Sequence, residues 1–205
     1  MEAILSLGLG YLVGSISPAA WVSRRKNVNL KEEGTGNLGA TNTMIVMGRA
    51  AGIFVMVFDI LKSYLSYRIA RVLFPQMAAA GLLACVGAIL GHCFPIFLHF
   101  DGGKGLAAFG GMVLAYSPKI FLLIVVCGLA LMALLDTGVA MPMLASPMFP
   151  LLIWVNGGSL AEVLTAIAAG VIIVIMHWGN LERAIAKEDV LNVHEFLKNI
   201  LFKKK

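Results

Sequence analysis

The sequence predicts an all-α fold: a polytopic membrane helix bundle of about seven transmembrane helices, with the N-terminus outside and the C-terminus cytoplasmic. Three observations predict it. The 205 residues are 60% hydrophobic and only 13% charged, and their mean hydropathy of +0.89 lies outside the range of soluble globular chains. Apolar runs close to the roughly 20 residues that a span requires recur along the chain, separated by polar punctuation. Threaded through a membrane, those runs leave Lys and Arg concentrated on one side.

The first run covers residues 3–22. Its start, Met1-Glu2-Ala3, has no basic flank, and the cluster Arg24-Arg25-Lys26 follows it, which argues for a span with the N-terminus outside rather than for a signal peptide. The second run, residues 49–74, carries Asp59 and Lys62 inside it, three apart and therefore on one helical face, where they pair or meet a polar cavity. The third covers residues 77–98. The fourth, 106–116, is short, and Ser117-Pro118-Lys119 turns it into the fifth, 120–135, because the residue before a proline disfavours helix. The sixth, 139–155, holds Pro142, Pro147 and Pro150, which predicts a kinked or partly irregular helix packed inside the bundle, where freed backbone groups find partners. The seventh covers residues 160–176. No linker or repeat divides the chain, so it reads as one integral membrane domain, 1–205, with 177–205 as a cytoplasmic tail.

On this threading Arg24, Arg25, Lys26, Lys31, Arg49, Lys104, Arg183, Lys187, Lys198, Lys203, Lys204 and Lys205 lie inside and Arg68, Arg71 and Lys119 outside. The net charge of +5 accordingly reads as orientation and contact with anionic lipid headgroups; no aromatic and basic interleaving points to nucleic acid. Cys85, Cys93 and Cys127 fall in or beside spans without metal or redox spacing and read as small apolar residues.

The same threading puts three unusual polar stretches on one membrane face. The first is Glu33-Gly34-Thr35-Gly36-Asn37-Leu38-Gly39-Ala40-Thr41-Asn42. Its glycines allow positive φ and close backbone approach. With Thr35, Asn37, Thr41 and Asn42 as neutral donors, a short helix over residues 37–48 would hold an anion by its first amides and its dipole. The second joins Gly91-His92 to Gly102-Gly103-Lys104-Gly105, close backbone approach plus one compact cation, which suits phosphate; as plain structure it is a turn with a snorkelling lysine. The third is His177, Asn180 and Arg183, spaced by three and thus on one face of a continuing helix, with Trp178 fit for an aromatic belt.

In this order and spacing, and with Gly14-Ser15-Ile16 before them, the stretches resemble the bacterial acyl-phosphate:glycerol-3-phosphate acyltransferase family over nearly the whole chain. The resemblance implies a seven-helix enzyme of the bacterial cytoplasmic membrane, its site facing the cytoplasm. It would move a fatty acyl group from acyl phosphate to glycerol 3-phosphate to give lysophosphatidic acid, with no metal or organic cofactor. It implies catalytic roles for His177, Asn180 and Lys104. Substrate and phosphate binding would fall to Gly34, Thr35, Gly36, Asn37, Gly39, Thr41, Asn42, His92, Gly102, Gly103, Gly105 and Arg183. A mixed anhydride has a good leaving group, so positioning and charge stabilisation can do most of the catalysis, and either His177 or the donor phosphate can take the acceptor's proton.

The chain departs from the family pattern at cations. Ile45 stands where Arg is usual, Asp101 where Lys is usual, Met176 where Arg is usual; Asn29 and Lys31 replace Asp and Arg, Thr35 replaces Ser, and Lys187 replaces Gly. One well-placed donor contributes on the order of 3 kcal/mol to a transition state, so Lys31, Arg49 or Arg183 would have to compensate. Two further readings stand beside the enzyme: a relative with a changed acceptor or no catalysis that binds a lipid precursor, and a small transporter, which should show paired broken helices and a polar path through the bilayer.

Overall fold

The computed structural model describes residues 1–188 together with Val193, His194 and Lys198; Lys203, Lys204 and Lys205 of the expected basic tail lie outside the described residues. The elements are α1 (Glu2–Gly14), α2 (Pro18–Lys26), α3 (Ala40–Met47), α4 (Arg49–Leu73), α5 (Ala80–Cys93), a 3-10 turn (Ile96–Leu98), α6 (Leu106–Tyr116), α7 (Pro118–Leu135), α8 (Ala140–Val155) and α9 (Leu160–Ile185). Five segments are long and apolar enough to cross a membrane: Glu2–Lys26, Arg49–Leu73, Ala80–Leu98, Pro118–Leu135 and Leu160–Ile185; α6 and α8 are apolar but shorter. The protein is a multi-pass, all-helical membrane protein.

The bundle is built around α5, where 67% of the apolar window is buried against 17% for α7 at the periphery. Small residues allow this. A Cβ on Gly10 would lie 1.8 Å from the Ala84 carbonyl oxygen and one on Gly14 2.2 Å from that of Ala88, while Gly87 and Gly91 meet the carbonyls of Leu7 and Tyr11 in the same way. Two pairs of glycines spaced by four thus press α1 and α5 together backbone to backbone, the packing that works in lipid, where apolar contact alone gives helices no preference for each other. On the other side of α5, Phe109 of α6 and Tyr116 meet Phe149 of α8 edge to face, with centroids 5.8 and 5.7 Å apart.

Three expectations change in detail. The run 3–22 is two helices, because Pro18 cannot continue α1 and Ser17 caps a new start, accepting from the Ala20 N–H at 3.2 Å. The break frees the Ile16 carbonyl, which the site uses. The sixth run remains α-helical through Pro147 and Pro150. Pro150 has no N–H for the Ser146 carbonyl, and α9 packs onto that carbonyl through Gly170, whose Cβ would sit 2.7 Å from it. Ser117 ends α6 and caps α7, accepting from Ile120 N at 3.4 Å, so the short fourth run and the fifth form the expected turn. Finally, α9 continues to Ile185, which places His177, Asn180 and Arg183 on its last turns rather than in a tail.

Candidate active site

The first polar stretch folds as a loop held from within. Leu30 and Leu38 bury their side chains with Ala19 and Val55 beneath it. Asn42, fully buried, binds the loop back to α3: its Oδ1 accepts from Thr35 N at 2.6 Å, and its Nδ2 donates to the carbonyls of Leu30 at 2.8 Å and Glu33 at 3.1 Å. Both ends of the amide are used and none of the residue is exposed, so Asn42 shapes the cradle from behind its wall. Gly34, at φ 62°, is required where it stands, since a Cβ there would lie 2.2 Å from Asn42 Oδ1. The short helix starts after Gly39 without a side-chain cap, so the N–H groups of Gly39, Ala40 and Thr41 are left without a side-chain partner, and all three residues line the cavity described below.

The second stretch is laid against the end of α5 by two backbone bonds, Gly102 N to Cys93 O and Gly103 N to His92 O, both 3.1 Å. Side chains cannot enter here: a Cβ on Gly102 would lie 2.1 Å from the His92 carbonyl oxygen and one on Gly103 2.2 Å from His92 Nε2. Lys104 follows, and its Nζ donates to Oδ1 of Asn180 on α9 at 2.6 Å. Burial, and then the Arg183 charge nearby, hold its ammonium pKa below the ordinary 10.5. Arg183 donates to the same Asn180 oxygen at 2.7 Å. One turn earlier, His177 Nδ1 lies 2.9 Å from the Ile173 carbonyl. A carbonyl only accepts, so Nδ1 carries a proton, and in the neutral imidazole Nε2 keeps its lone pair.

Behind these stretches, α4 and α5 bury a charged triad. Lys62 Nζ is 2.8 Å from Asp59 Oδ1 and donates to the Ile16 carbonyl at 3.0 Å; His92 Nδ1 lies 3.2 Å from Asp59 Oδ1 and 3.0 Å from Lys62 Nζ. Asp59 and Lys62 are 1% and 4% exposed, a depth that only mutual pairing makes tenable in a membrane.

These groups meet at a cavity of about 470 Å³. Asn37, Gly39, Thr41, Asp59, His92, Lys104, Gly105 and His177 line its polar part, and Phe109, Phe121, Ile124, Leu129 and Met141 line an apolar part running between helices. Among the predicted residues, Gly34, Thr35, Gly36, Asn42, Gly102, Gly103, Asn180 and Arg183 stand behind the wall or beside it. The apolar lining and Ala40 were not singled out by sequence: they are ordinary membrane residues, and only the fold shows which of them face inward. Ile45 is 45% exposed on α3 and does not line the cavity. Asp101 pairs with Lys31, which also donates to the Gly102 carbonyl at 3.3 Å; one of the three cations expected to compensate is thereby committed. A groove of about 670 Å³ between α8 and α9 is lined by residues such as Pro147, Trp154 and Val171 and holds none of the predicted polar groups. Among the described residues no group of three or more His, Cys, Asp or Glu could hold a metal ion.

This arrangement has counterparts. The family model described as glycerol-3-phosphate acyltransferase matches residues 4–187. A glycerol-3-phosphate acyltransferase of Streptococcus sanguinis is 32% identical over 204 residues, covering 93% of this chain and 92% of its own. One from Enterococcus faecalis is 41% identical over 134 residues, 62% of this chain. The chain spans 60% of the length of that relative and 66% of that of glycerol-3-phosphate acyltransferase 1 of Deinococcus radiodurans. Crystal structures of PlsY, an integral membrane glycerol 3-phosphate acyltransferase, superpose on the fold. Its glycerol 3-phosphate form has a TM-score of 0.88 at 28% identity over 99% of this chain and 100% of that one. Its lysophosphatidic acid form has a TM-score of 0.84 over 95% and 100%. The chain belongs to the glycerol-3-phosphate acyltransferase family.

Proposed function

We propose that the protein transfers a fatty acyl group from acyl phosphate to glycerol 3-phosphate, forming lysophosphatidic acid and inorganic phosphate. The observation that carries the reading is the two-part cavity: a mouth with uncapped backbone N–H groups, Lys104 and His177, continuous with an apolar channel between helices. That shape suits a substrate with a phosphate at one end and a hydrocarbon chain at the other. Each methylene buried in the channel contributes about 0.8 kcal/mol, while the mouth stays open to a soluble acceptor.

In this reading the first amides of α3 and the Lys104 ammonium hold phosphate oxygens, with Arg183 adding charge from behind Asn180. The acceptor hydroxyl approaches His177 Nε2 and attacks the acyl carbon. The new ester C–O bond forms as the bond to phosphate oxygen breaks, and the electron pair leaves with phosphate. The hydroxyl proton goes to Nε2 or to the departing phosphate; both balance. Orientation and charge supply most of the acceleration, since the leaving group is already good.

The topology belongs to the same proposal: seven crossings, with α6 and α8 as the short ones, the N-terminus outside, the site and C-terminus cytoplasmic, in the bacterial plasma membrane, and the chain acting as one domain. The meeting of the three polar stretches at one end of the bundle supports it, as does the contact of His194 with Asp136 at 2.7 Å, which brings His194 to the end of α7. Purified protein given acyl phosphate and labelled glycerol 3-phosphate should yield lysophosphatidic acid, and Lys104→Ala or His177→Ala should strongly reduce it. No product from the wild-type protein, or near-normal turnover in both variants, would overturn the reaction or the site respectively.

A further inference from the structure

Away from the cavity, where α2 leaves the bundle, a groove of about 420 Å³ is lined by Trp21, Val22, Arg24, Arg25 and Phe54. Among the described residues neither guanidinium has a carboxylate partner or a hydrogen-bond acceptor; the ion pairs present involve Lys31, Lys62, His92 and His194. Capping of their own helix does not explain them. The end of α2 is closed by backbone bonds, Asn27 N to Arg24 O at 3.4 Å and Val28 N to Ser23 O at 3.1 Å, with Asn27 in the left-handed conformation at φ 52°.

Beside the arginines stands an aromatic platform. Trp21 packs edge to face on Phe58 with centroids 5.6 Å apart, and Phe58 lies 6.2 Å from Phe54 one turn away on α4. Trp21 and Phe54 are nonetheless 49% and 48% exposed, so the platform is held in place and left uncovered. Trp21 and Arg24 also border a second, smaller hollow of about 140 Å³, opened by the break between α1 and α2 and floored by Phe97 and Leu98.

Two uncompensated guanidiniums directly beside apolar, aromatic-lined grooves on the flank of a membrane helix fit one kind of ligand. We infer that Arg24 and Arg25 bind the headgroup phosphate of an anionic phospholipid whose acyl chains lie along Trp21 and Phe54. Guanidinium forks match phosphate oxygens bidentately, tryptophan sits naturally at headgroup depth, and a soluble anion would leave the aromatic platform unused. The site is separate from the candidate active site: none of its residues lines that cavity.

The test is native mass spectrometry of the full chain released from detergent with dioleoyl phosphatidylglycerol or dioleoyl phosphatidylcholine, which share chains and differ in charge. Each cation near a headgroup changes binding about fivefold, so two give about 25-fold. The wild-type protein should retain phosphatidylglycerol over phosphatidylcholine by roughly that factor. Arg24→Gln with Arg25→Gln should bring the two lipids level, and Trp21→Ala should weaken retention of both. A thermal melt of each variant within a few degrees of wild type certifies the fold; should the double glutamine variant fail it, Arg24→Lys with Arg25→Lys replaces it and should retain a reduced preference. Equal retention of the two lipids by wild type, or an unchanged preference in the glutamine variant, overturns the assignment. Displacement of phosphatidylglycerol by millimolar inorganic phosphate, with Trp21→Ala having no effect, also overturns it in favour of a plain anion site.

Discussion

The ammonium of Lys104 reaches Oδ1 of Asn180 at 2.6 Å across 76 positions of chain, and that oxygen also accepts from Arg183 at 2.7 Å. One neutral acceptor thus holds two cations at a cavity mouth without cancelling either charge. Asn180→Ala releases both and leaves like charges to separate. The loss of an oriented electrostatic group of this kind reduces kcat/KM on the order of 100-fold. Asn180→Asp keeps the shape but cancels one of the two positive charges, so its effect should fall mainly on KM for the phosphorylated acceptor. Steady-state kinetics of the two variants separate the cases, and equal, small effects would remove Asn180 from the positioning role.

Lys104 makes the reaction sensitive to alkali. Burial, and then Arg183, hold its pKa below the ordinary lysine value of 10.5. The charged form, which holds phosphate in the proposed reaction, is therefore fully present at low pH and is lost as pH rises through a value below 10.5. The expected profile of kcat/KM falls on its alkaline side earlier than an exposed lysine would make it. Lys104→Arg, whose side chain stays charged above pH 12, should lower the maximum yet flatten that limb. An alkaline limb that is the same in the arginine variant belongs to another group.

Asp101 ties Lys31 to the loop that carries Lys104. The Asp101 side chain is 68% exposed and that of Lys31 29%, and a pair so open to solvent stabilises by less than about 1 kcal/mol. Asp101→Asn should consequently leave the melting temperature nearly unchanged. It removes a negative charge from the approach to the mouth and frees a positive one, so KM for glycerol 3-phosphate should drop about threefold at low salt and converge with wild type at high salt. A rise in KM would mean that the pair acts by aligning the Lys104 loop. Ile45→Arg with Asp101→Lys extends the test to the cations usual in the family.

Much of this was legible because membrane burial makes polar residues conspicuous. Gly34 to Asn42, Lys104 and the His177, Asn180, Arg183 face stand out from an apolar chain, and a parity argument over span boundaries was enough to bring them to one side. What sequence did not show follows from the same physics. Asn42 and Thr41 are adjacent and alike in type, yet one is consumed by the loop and the other opens on the cavity, a difference set by the rotation of about 100° between successive residues on α3. Phe121 and Leu123 are equally apolar, but only Phe121 lines the channel, since lipid and channel accept the same residues. The run 3–22 did not show its break at Pro18, and that the break delivers the Ile16 carbonyl to Lys62 of α4 depends on how α1 packs against α4 and, through Gly14 and Gly91, against α5.

That carbonyl completes the triad on which the last expectation rests. Lys62 donates to Ile16 O at 3.0 Å and pairs with Asp59 Oδ1 at 2.8 Å, while His92 Nδ1, 3.0 Å from Lys62 Nζ and 3.2 Å from Asp59 Oδ1, accepts from Lys62 or donates to Asp59 according to its tautomer. Lys62→Met leaves Asp59 buried with His92 as its remaining partner. Removing one member of a buried pair costs about 3–5 kcal/mol, which should appear as a large drop in the thermal midpoint of the detergent-solubilised protein. Asp59→Asn with Lys62→Met removes the stranded charge and should regain most of that stability. Activity should not return with it, because Asp59 and His92 line the cavity and His92 will have lost the two charged groups that fix its ring beside Gly103. A double variant as unstable as Lys62→Met alone would show that the ion pair is not the stabilising unit; one that is both stable and active would show that the triad serves packing and leaves the site unaffected.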